Sequence, residues 1–319
     1  MTSASTRAFI FPGQGSQAIG MGKALADAFA AAREVFEEVD EALGQRLSRL
    51  MWEGPEDQLT LTENAQPAIM AASLAVIRVL QREGGFDMAR HARLAAGHSL
   101  GEYTALAAAG AFTLAETAKL LKTRGQAMQA AVPVGEGAMS ALLGAEIEQA
   151  EALAKACVEQ AGGVCVVAND NAPGQVVISV TKAAIDKAPE IAKTMGIKRA
   201  MPLSVSAPFH SPMMKPAADK MAEALAAVTI RPPACPIVAN VTAAEVSEPE
   251  TIRRLLVEQV TGRVRWRESV LAFRALGVDT AVEAGGGKVL TGMVKRIDKD
   301  IQPVSLDTPA DIEAFAKSL

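Results

Sequence analysis

Gly97-His98-Ser99-Leu100-Gly101 is a G-x-S-x-G pentapeptide between a short apolar run, Arg93–Gly97, and a helical pattern from Leu100 to Ala109. A strand, a sharp glycine-flanked turn and a helix are the setting that lifts a serine hydroxyl clear of the backbone as a nucleophile. A helix that starts there directs its unpaired N–H groups at negative charge forming nearby. The Leu100 N–H is then the natural first oxyanion donor. The alternative is an ordinary serine in a tight turn. The pentapeptide alone is too short to decide, and its flanking elements favour the nucleophile.

A serine nucleophile needs a base, and the chain has three histidines. His98 shares the turn with Ser99, so its side chain should project away from the hydroxyl. His91 lies among charged residues ahead of the apolar run, where solvation is expected. That leaves His210, in Ser206-Ala207-Pro208-Phe209-His210-Ser211-Pro212, a segment that two prolines fix as a mount for a base. A plain surface-loop histidine is the competing reading.

Two glycine-rich segments invite nucleotide readings that fail. Gly13, Gly15 and Ala18 satisfy G-x-G-x-x-A after a strand-like Arg7–Phe11. A dinucleotide site also needs a second strand ending in an acid about 20 residues on, and Arg33–Val39 is helical in character. The same backbone can instead bring the Gln14 N–H up to a ligand oxygen as a second oxyanion donor. Gly285-Gly286-Gly287-Lys288 lacks the spacing, and the Ser or Thr after the lysine, of a phosphate loop. It reads as a turn after a strand at Thr280–Glu283. Arg124, in a helical stretch, would offer two parallel donors to a carboxylate if it faced a pocket. Most helical arginines are solvated, and spacing leaves both readings open.

The elements that must position these residues follow an α/β pattern. Helices are expected over Gly22–Leu43, Asn64–Glu83 and from Thr113, an N-cap with Glu116 completing a capping box, through Met128. After the glycine-rich Pro133–Gly137 the order changes to Ala138–Leu143 (strand), Glu146–Ala161 (helix), Val164–Ala168 (strand), Gln175–Val180 (strand), Lys182–Met195 (helix) and Ile197–Pro202 (strand). This β-α-β-β-α-β order is a ferredoxin-like signature. From Val205 the α/β texture returns, with strands at Ile237–Asn240 and Thr280–Glu283. A ferredoxin-like subdomain over residues 132–204, inserted into a larger α/β domain of residues 1–131 and 205–319, accounts for this order.

Composition bounds the function classes. The chain has 319 residues, half of them apolar, and a formal net charge of -4, which argues against a broad nucleic-acid footprint. Three cysteines without a C-x-x-C pair, and three histidines in all, make a His/Cys metal cluster unexpected and a reducing compartment the simple reading. Met1–Thr6 shows no export signal. Ala-rich runs such as Ala105–Phe112 fall well short of the roughly 18 apolar residues that span a bilayer. A cytoplasmic protein without membrane or nucleic-acid partners is expected.

Taken together, several segments closely resemble the malonyl-CoA:acyl carrier protein transacylases of fatty acid synthesis, over nearly the whole chain. They are F-P-G-Q-G-S-Q at Phe11–Gln17, Gln66-Pro67-Ala68, G-H-S-L-G-E at Gly97–Glu102, R-G-Q-A-M at Arg124–Met128, N-A-P-G-Q-V-V-I at Asn171–Ile178, A-P-F-H-S at Ala207–Ser211, Q-V-T-G-R-V-R-W at Gln259–Trp266 and V-L-T-G-M-V-K-R at Val289–Arg296. The resemblance implies a hydrolase-like α/β core built on a parallel sheet with a ferredoxin-like insert. It implies ping-pong transfer of malonyl from malonyl-CoA to the phosphopantetheine thiol of acyl carrier protein. Ser99 would carry the acyl group, with His210 as base and then acid, and the Gln14 and Leu100 N–H groups as the oxyanion hole. Arg124 would hold the malonyl carboxylate, and the Gln259 carbonyl would orient the histidine in place of a carboxylate. Phe209 would crowd a branched acyl group. No metal or cofactor is called for, the CoA thioester being substrate, and a monomer is expected.

One departure is the glycine turn, where Gly286 stands in place of an expected proline. Lys198-Arg199 and Lys295-Arg296 with Lys299 are candidate docking points for an acidic carrier protein, with ordinary solvated charge as the alternative. Two other functions compete. One is a serine hydrolase with Asp170 or Asp186 as its acid, and the other is a silent acyl-binding module.

Overall fold

The computed structural model describes residues 6–203, 205 and 207–319. Ser206 in the His210 segment, the expected subdomain boundary at Ser204 and the N-terminal Met1–Ser5 lie outside them. Ten strands are formed: β1 Arg7–Phe11, β2 Leu94–Gly97, β3 Gly137–Leu143, β4 Cys165–Ala172, β5 Gln175–Thr181, β6 Arg199–Pro202, β7 Ile237–Ala239, β8 Ala244–Val246, β9 Thr280–Ala284 and β10 Gln302–Leu306. They build a six-stranded sheet in the order β10-β9-β1-β2-β7-β8 and a four-stranded sheet in the order β4-β5-β3-β6.

In the first sheet β10, β9, β1, β2 and β7 run parallel, and only the edge strand β8 is antiparallel. Its central strands are continuous apolar runs because both faces are covered. Phe9 and Phe11 pack into one core with the helices Ala30–Leu43, Thr62–Glu83 and Leu114–Ala130. Ala8, Ile10 and Leu94 face the other core, with Trp266, Phe273 and Val294. The parallel strands therefore deliver Phe11, Gly97 and Ala239 to one rim, where the functional loops begin. A mixed α/β fold results.

The second sheet is wholly antiparallel, with helix Ile147–Ala161 between β3 and β4 and helices between β5 and β6. It has its own core, including Leu142, Leu153, Val176, Ile178 and Ile191. It is fastened to the larger sheet's side of the molecule through Val264, whose N–H donates to Ala168 O and whose carbonyl accepts from Asp170 N–H. Arg296 adds donors to Gln175 Oε1 (2.9 Å) and Pro173 O (2.6 Å), so one member of a proposed docking cluster is engaged inside the protein.

Two expected helices are broken. Gly22–Leu43 divides into Lys23–Ala28 and Ala30–Leu43 because Phe29 is extended and packs against the main core. Lys182–Met195 divides into Lys182–Ile185 and Ala188–Thr194. Pro189 at the start of the second helix has no N–H to continue the first. The capping box at Thr113 and Glu116 forms as expected, and its helix continues to Ala130.

The register of the turn after β2 depends on Gly101. A Cβ there would stand 2.2 Å from the Phe11 carbonyl oxygen, backbone that cannot swing aside. Gly101→Ala should therefore push the helix start off β1 and cost about 1–3 kcal/mol of stability, read from chemical denaturation, with loss of whatever reactivity Ser99 has.

Candidate active site

Gly97 ends β2, and the helix Leu100–Ala108 begins after two residues. Between them Ser99 adopts φ 55°, ψ −111°, outside the regular regions. Such a backbone costs on the order of 1–3 kcal/mol and persists only where the surroundings enforce it. His210 also has positive φ, at 54°. The side chains meet: Ser99 Oγ and His210 Nε2 are 2.8 Å apart, although 111 residues separate them. His210 Nδ1 faces two backbone carbonyls, Gln259 O at 2.9 Å and Gly262 O at 3.1 Å. That makes Nδ1 the protonated nitrogen and leaves the Nε2 lone pair toward Ser99. Burial, and then the nearby Arg124 charge, push the His210 pKa down to about 3, so the imidazole is neutral through the physiological range.

Arg124 settles its open question by being 1 % exposed. Its Nη1 donates to Gln66 Oε1 (2.9 Å), and its Nη2 donates to Gln259 Oε1 (2.8 Å) and to Ser99 Oγ (3.1 Å). Its guanidinium lies 5.6 Å from the Tyr103 ring centre. Its Nε has no hydrogen-bond partner among the described residues, and no carboxylate there forms an ion pair with it. A buried cation held only by neutral amides and a hydroxyl has its charge uncompensated by any paired carboxylate among the described residues, and so retains capacity for an anion.

Gln14, Leu100, Arg124, Phe209 and His210 line one cavity of about 330 Å3 with Ser99. Leu100 is the first helical residue, so its N–H has no intrahelical acceptor. Gly13 is pressed against the turn: a Cβ on it would meet His98 O at 2.7 Å, which brings the Gln14 backbone beside Ser99. His98 turns away from the hydroxyl as expected, with Nε2 on Asn171 Oδ1 at 2.7 Å. Phe209 is held from the small sheet, where Ser179 Oγ donates to its carbonyl. Gln259 lies outside the cavity lining, behind His210. Asp170 and Asp186 are not among the partners of His210 Nδ1.

The sequence reading missed Glu102 and Asn240. Asn240, directly after β7, accepts the Ser99 N–H on Oδ1 (2.7 Å) and donates Nδ2 to Gly97 O (2.6 Å). Glu102 Oε2 accepts from Asn240 N–H (3.0 Å) and from Gln259 Nε2 (2.7 Å). Glu102 was visible only as an acid in the first turn of a helix, where it would ordinarily be exposed, and Asn240 carries no motif. Among the described residues no group of three or more His, Cys, Asp or Glu could hold a metal ion, and no helix is long and apolar enough to cross a membrane.

A serine hydroxyl, a carbonyl-oriented histidine and a buried arginine, at the carboxyl ends of parallel strands, define an acyl-transfer type of site on an α/β scaffold. A family model described as the acyl transferase domain matches residues 8–308, and the chain belongs to this family. It is 44% identical over 312 residues to the malonyl CoA-acyl carrier protein transacylase of Bacillus subtilis, covering 98% of this chain and 96% of that one. The crystal structure of acyl-carrier-protein-S-malonyltransferase from Bartonella henselae superposes with a TM-score of 0.95 at 53% identity, covering 98% of both chains. A malonyl-transacylase solved in complex with its type II PKS acyl-carrier protein gives 0.94 at 40% identity, covering 99% of this chain and 100% of that one.

Burial raises the Glu102 pKa from the usual carboxylate value to about 7, against the hydrogen bonds from Gln259 and Asn240 and the attraction of Arg124. A raised folded pKa means stability that is full below the unfolded pKa and lost as pH rises toward 7. Glu102→Gln removes this titration. Its stability relative to the unsubstituted protein should therefore improve by ~2 kcal/mol between pH 5 and pH 8, measured by denaturant unfolding at both.

Proposed function

We propose that this chain transfers the malonyl group of malonyl-CoA to the phosphopantetheine thiol of an acyl carrier protein, in fatty acid biosynthesis. The observation that carries the reading is Arg124, a buried guanidinium 3.1 Å from Ser99 Oγ with no carboxylate ion pair among the described residues. A malonyl thioester has its own carboxylate a short distance from the carbonyl under attack, so it can supply the missing anion while the carbonyl reaches Ser99. The guanidinium would rearrange around that carboxylate, with Nη2, the nitrogen beside Ser99 Oγ, as the donor closest to the reacting carbonyl.

In the first half-reaction His210 Nε2 accepts the Ser99 proton as Oγ attacks the thioester carbonyl. The Gln14 and Leu100 N–H groups receive the oxyanion, each worth about 3 kcal/mol where such donors have been measured. The C–S bond breaks, His210 returns the proton to the CoA sulfur, and malonyl remains on Ser99. In the second half the carrier thiol gives its proton to His210 and attacks the ester. Ser99 Oγ then leaves with that proton. The Gln259 and Gly262 carbonyls stabilise the transient imidazolium without a carboxylate. Phe209 limits the space for an α-branch.

The surrounding architecture is read as a hydrolase-like core, residues 1–131 and 205–319, carrying a ferredoxin-like insert at 132–204. The strand order β4-β5-β3-β6 and the insert's own core support this division. The chain is read as a monomer. The three free cysteines suit the cytoplasm.

Mass spectrometry after malonyl-CoA exposure should show a malonyl adduct on Ser99, absent in Ser99→Ala. An unmodified protein would leave only passive binding. Sustained CoA release should require the carrier thiol, and release without it would make the protein a hydrolase. Arg124→Ala should lower kcat/KM for malonyl transfer by ~100-fold, the scale of a lost charged hydrogen bond, while sparing acetyl transfer. Equal losses for both acyl groups would remove Arg124 from carboxylate binding.

A further inference from the structure

Neither Asn240 nor Glu102 lines the cavity, yet both are bonded to its working parts. They are 1 % and 2 % exposed, and Gln259, which joins them, is 0 % exposed. β7 runs beside β2 with Ala96 opposite Val238, which carries Asn240 alongside the Gly97–Ser99 turn. The Asn240 side chain then bridges the turn, accepting from Ser99 N–H and donating to Gly97 O. These two bonds bracket a backbone whose φ and ψ no strand or helix enforces.

Behind this bracket, the Asn240 N–H and Gln259 Nε2 both end on Glu102 Oε2. The same Gln259 Nε2 also reaches Ser99 O, at 2.9 Å. The Gln259 main chain holds His210 Nδ1, and its Oε1 holds Arg124. A single carboxylate oxygen therefore ties the nucleophile's turn, the base's orienting residue and the arginine's amide partner into one frame. Without that acceptor, two buried donors would be unsatisfied and would turn toward other oxygens. Gln259 Nε2 already holds Ser99 O, so a reoriented Gln259 amide would pull on that carbonyl and move Oγ relative to His210.

We propose that Glu102 and Asn240 are positioning residues that hold Ser99 and His210 in reactive register, a role that rests on the reading of Ser99 as nucleophile. They act on the geometry of the attacking pair and not on substrate affinity. Charged and titratable groups facing Glu102 are Arg124, which attracts it, and Tyr103, which repels it when ionised.

The test uses a small uncharged fluorophosphonate, which bonds phosphorus to Ser99 Oγ and expels fluoride. It needs no malonyl carboxylate, CoA or carrier protein. Rates are compared per folded molecule for the unsubstituted protein, Asn240→Ala, Glu102→Gln and Glu102→Met, alongside KM for malonyl-CoA. Glutamine and methionine fill similar volume, but only glutamine keeps an acceptor oxygen. Asn240→Ala and Glu102→Met should label about 100-fold more slowly, the cost of ångström-scale misplacement, with KM little changed. Glu102→Gln should label at close to the original rate. Equal rates for Glu102→Met and Glu102→Gln, or an Asn240→Ala as fast as the original, would overturn the proposal. If Asn240→Ala does not fold, the Glu102 pair decides alone. Failure of the unsubstituted protein to label at Ser99 would instead remove the nucleophile reading and this proposal with it.

Discussion

The Ser99 hydroxyl sits between a neutral imidazole and a fixed guanidinium, 2.8 Å from His210 Nε2 and 3.1 Å from Arg124 Nη2. Much of the surrounding structure follows from keeping those three groups together. A cation this close to the imidazole would repel a second positive charge, which is one reason the His210 pKa lies so low. A proton taken up by this imidazole would then need to be supported. Two carbonyl oxygens on Nδ1 do this gently, whereas a carboxylate there would pair with Arg124's charge as well. An acceptor carboxylate does exist nearby, but it is Glu102, placed behind the amide of Gln259.

This arrangement explains why the site draws on so many separate segments. The strands of the large sheet end together and supply Gln14, Ser99 and Asn240 from three loops. The helix Leu114–Ala130 brings Arg124 across from the side, and Gln66 on the neighbouring helix takes its Nη1. The small sheet closes the remaining wall, with Asn171 on His98 and Ser179 on the Phe209 carbonyl. Its attachment through Val264 lies near Gly262, which touches His210. Displacing the small sheet would thus disturb the base as well as the cavity.

Backbone strain falls on both members of the Ser99–His210 pair. Ser99 and His210 are two of the three non-glycine residues with positive φ among those described. Each is compensated by bonds from outside its own segment: Asn240 and Gln259 for the serine, Gln259 and Gly262 for the histidine. Regular secondary structure alone would have placed neither side chain correctly.

Local sequence determined a good deal of this. The apolar runs at β1 and β2, the glycine-flanked serine, the capping box at Thr113 and the strand–helix order of the second sheet depend on neighbours a few residues away, and so they could be read directly. With only three histidines, elimination also singled out His210, whose ring meets Ser99 Oγ. The chain could not announce whether Arg124 was solvated, because the groups that bury it lie 58 and 135 positions away. Nor could it give roles to Glu102 and Asn240, whose bond spans 138 residues. A buried hydrogen bond gains its meaning from what tertiary packing excludes from around it. The pattern of types along the chain holds that information only after the chain has folded.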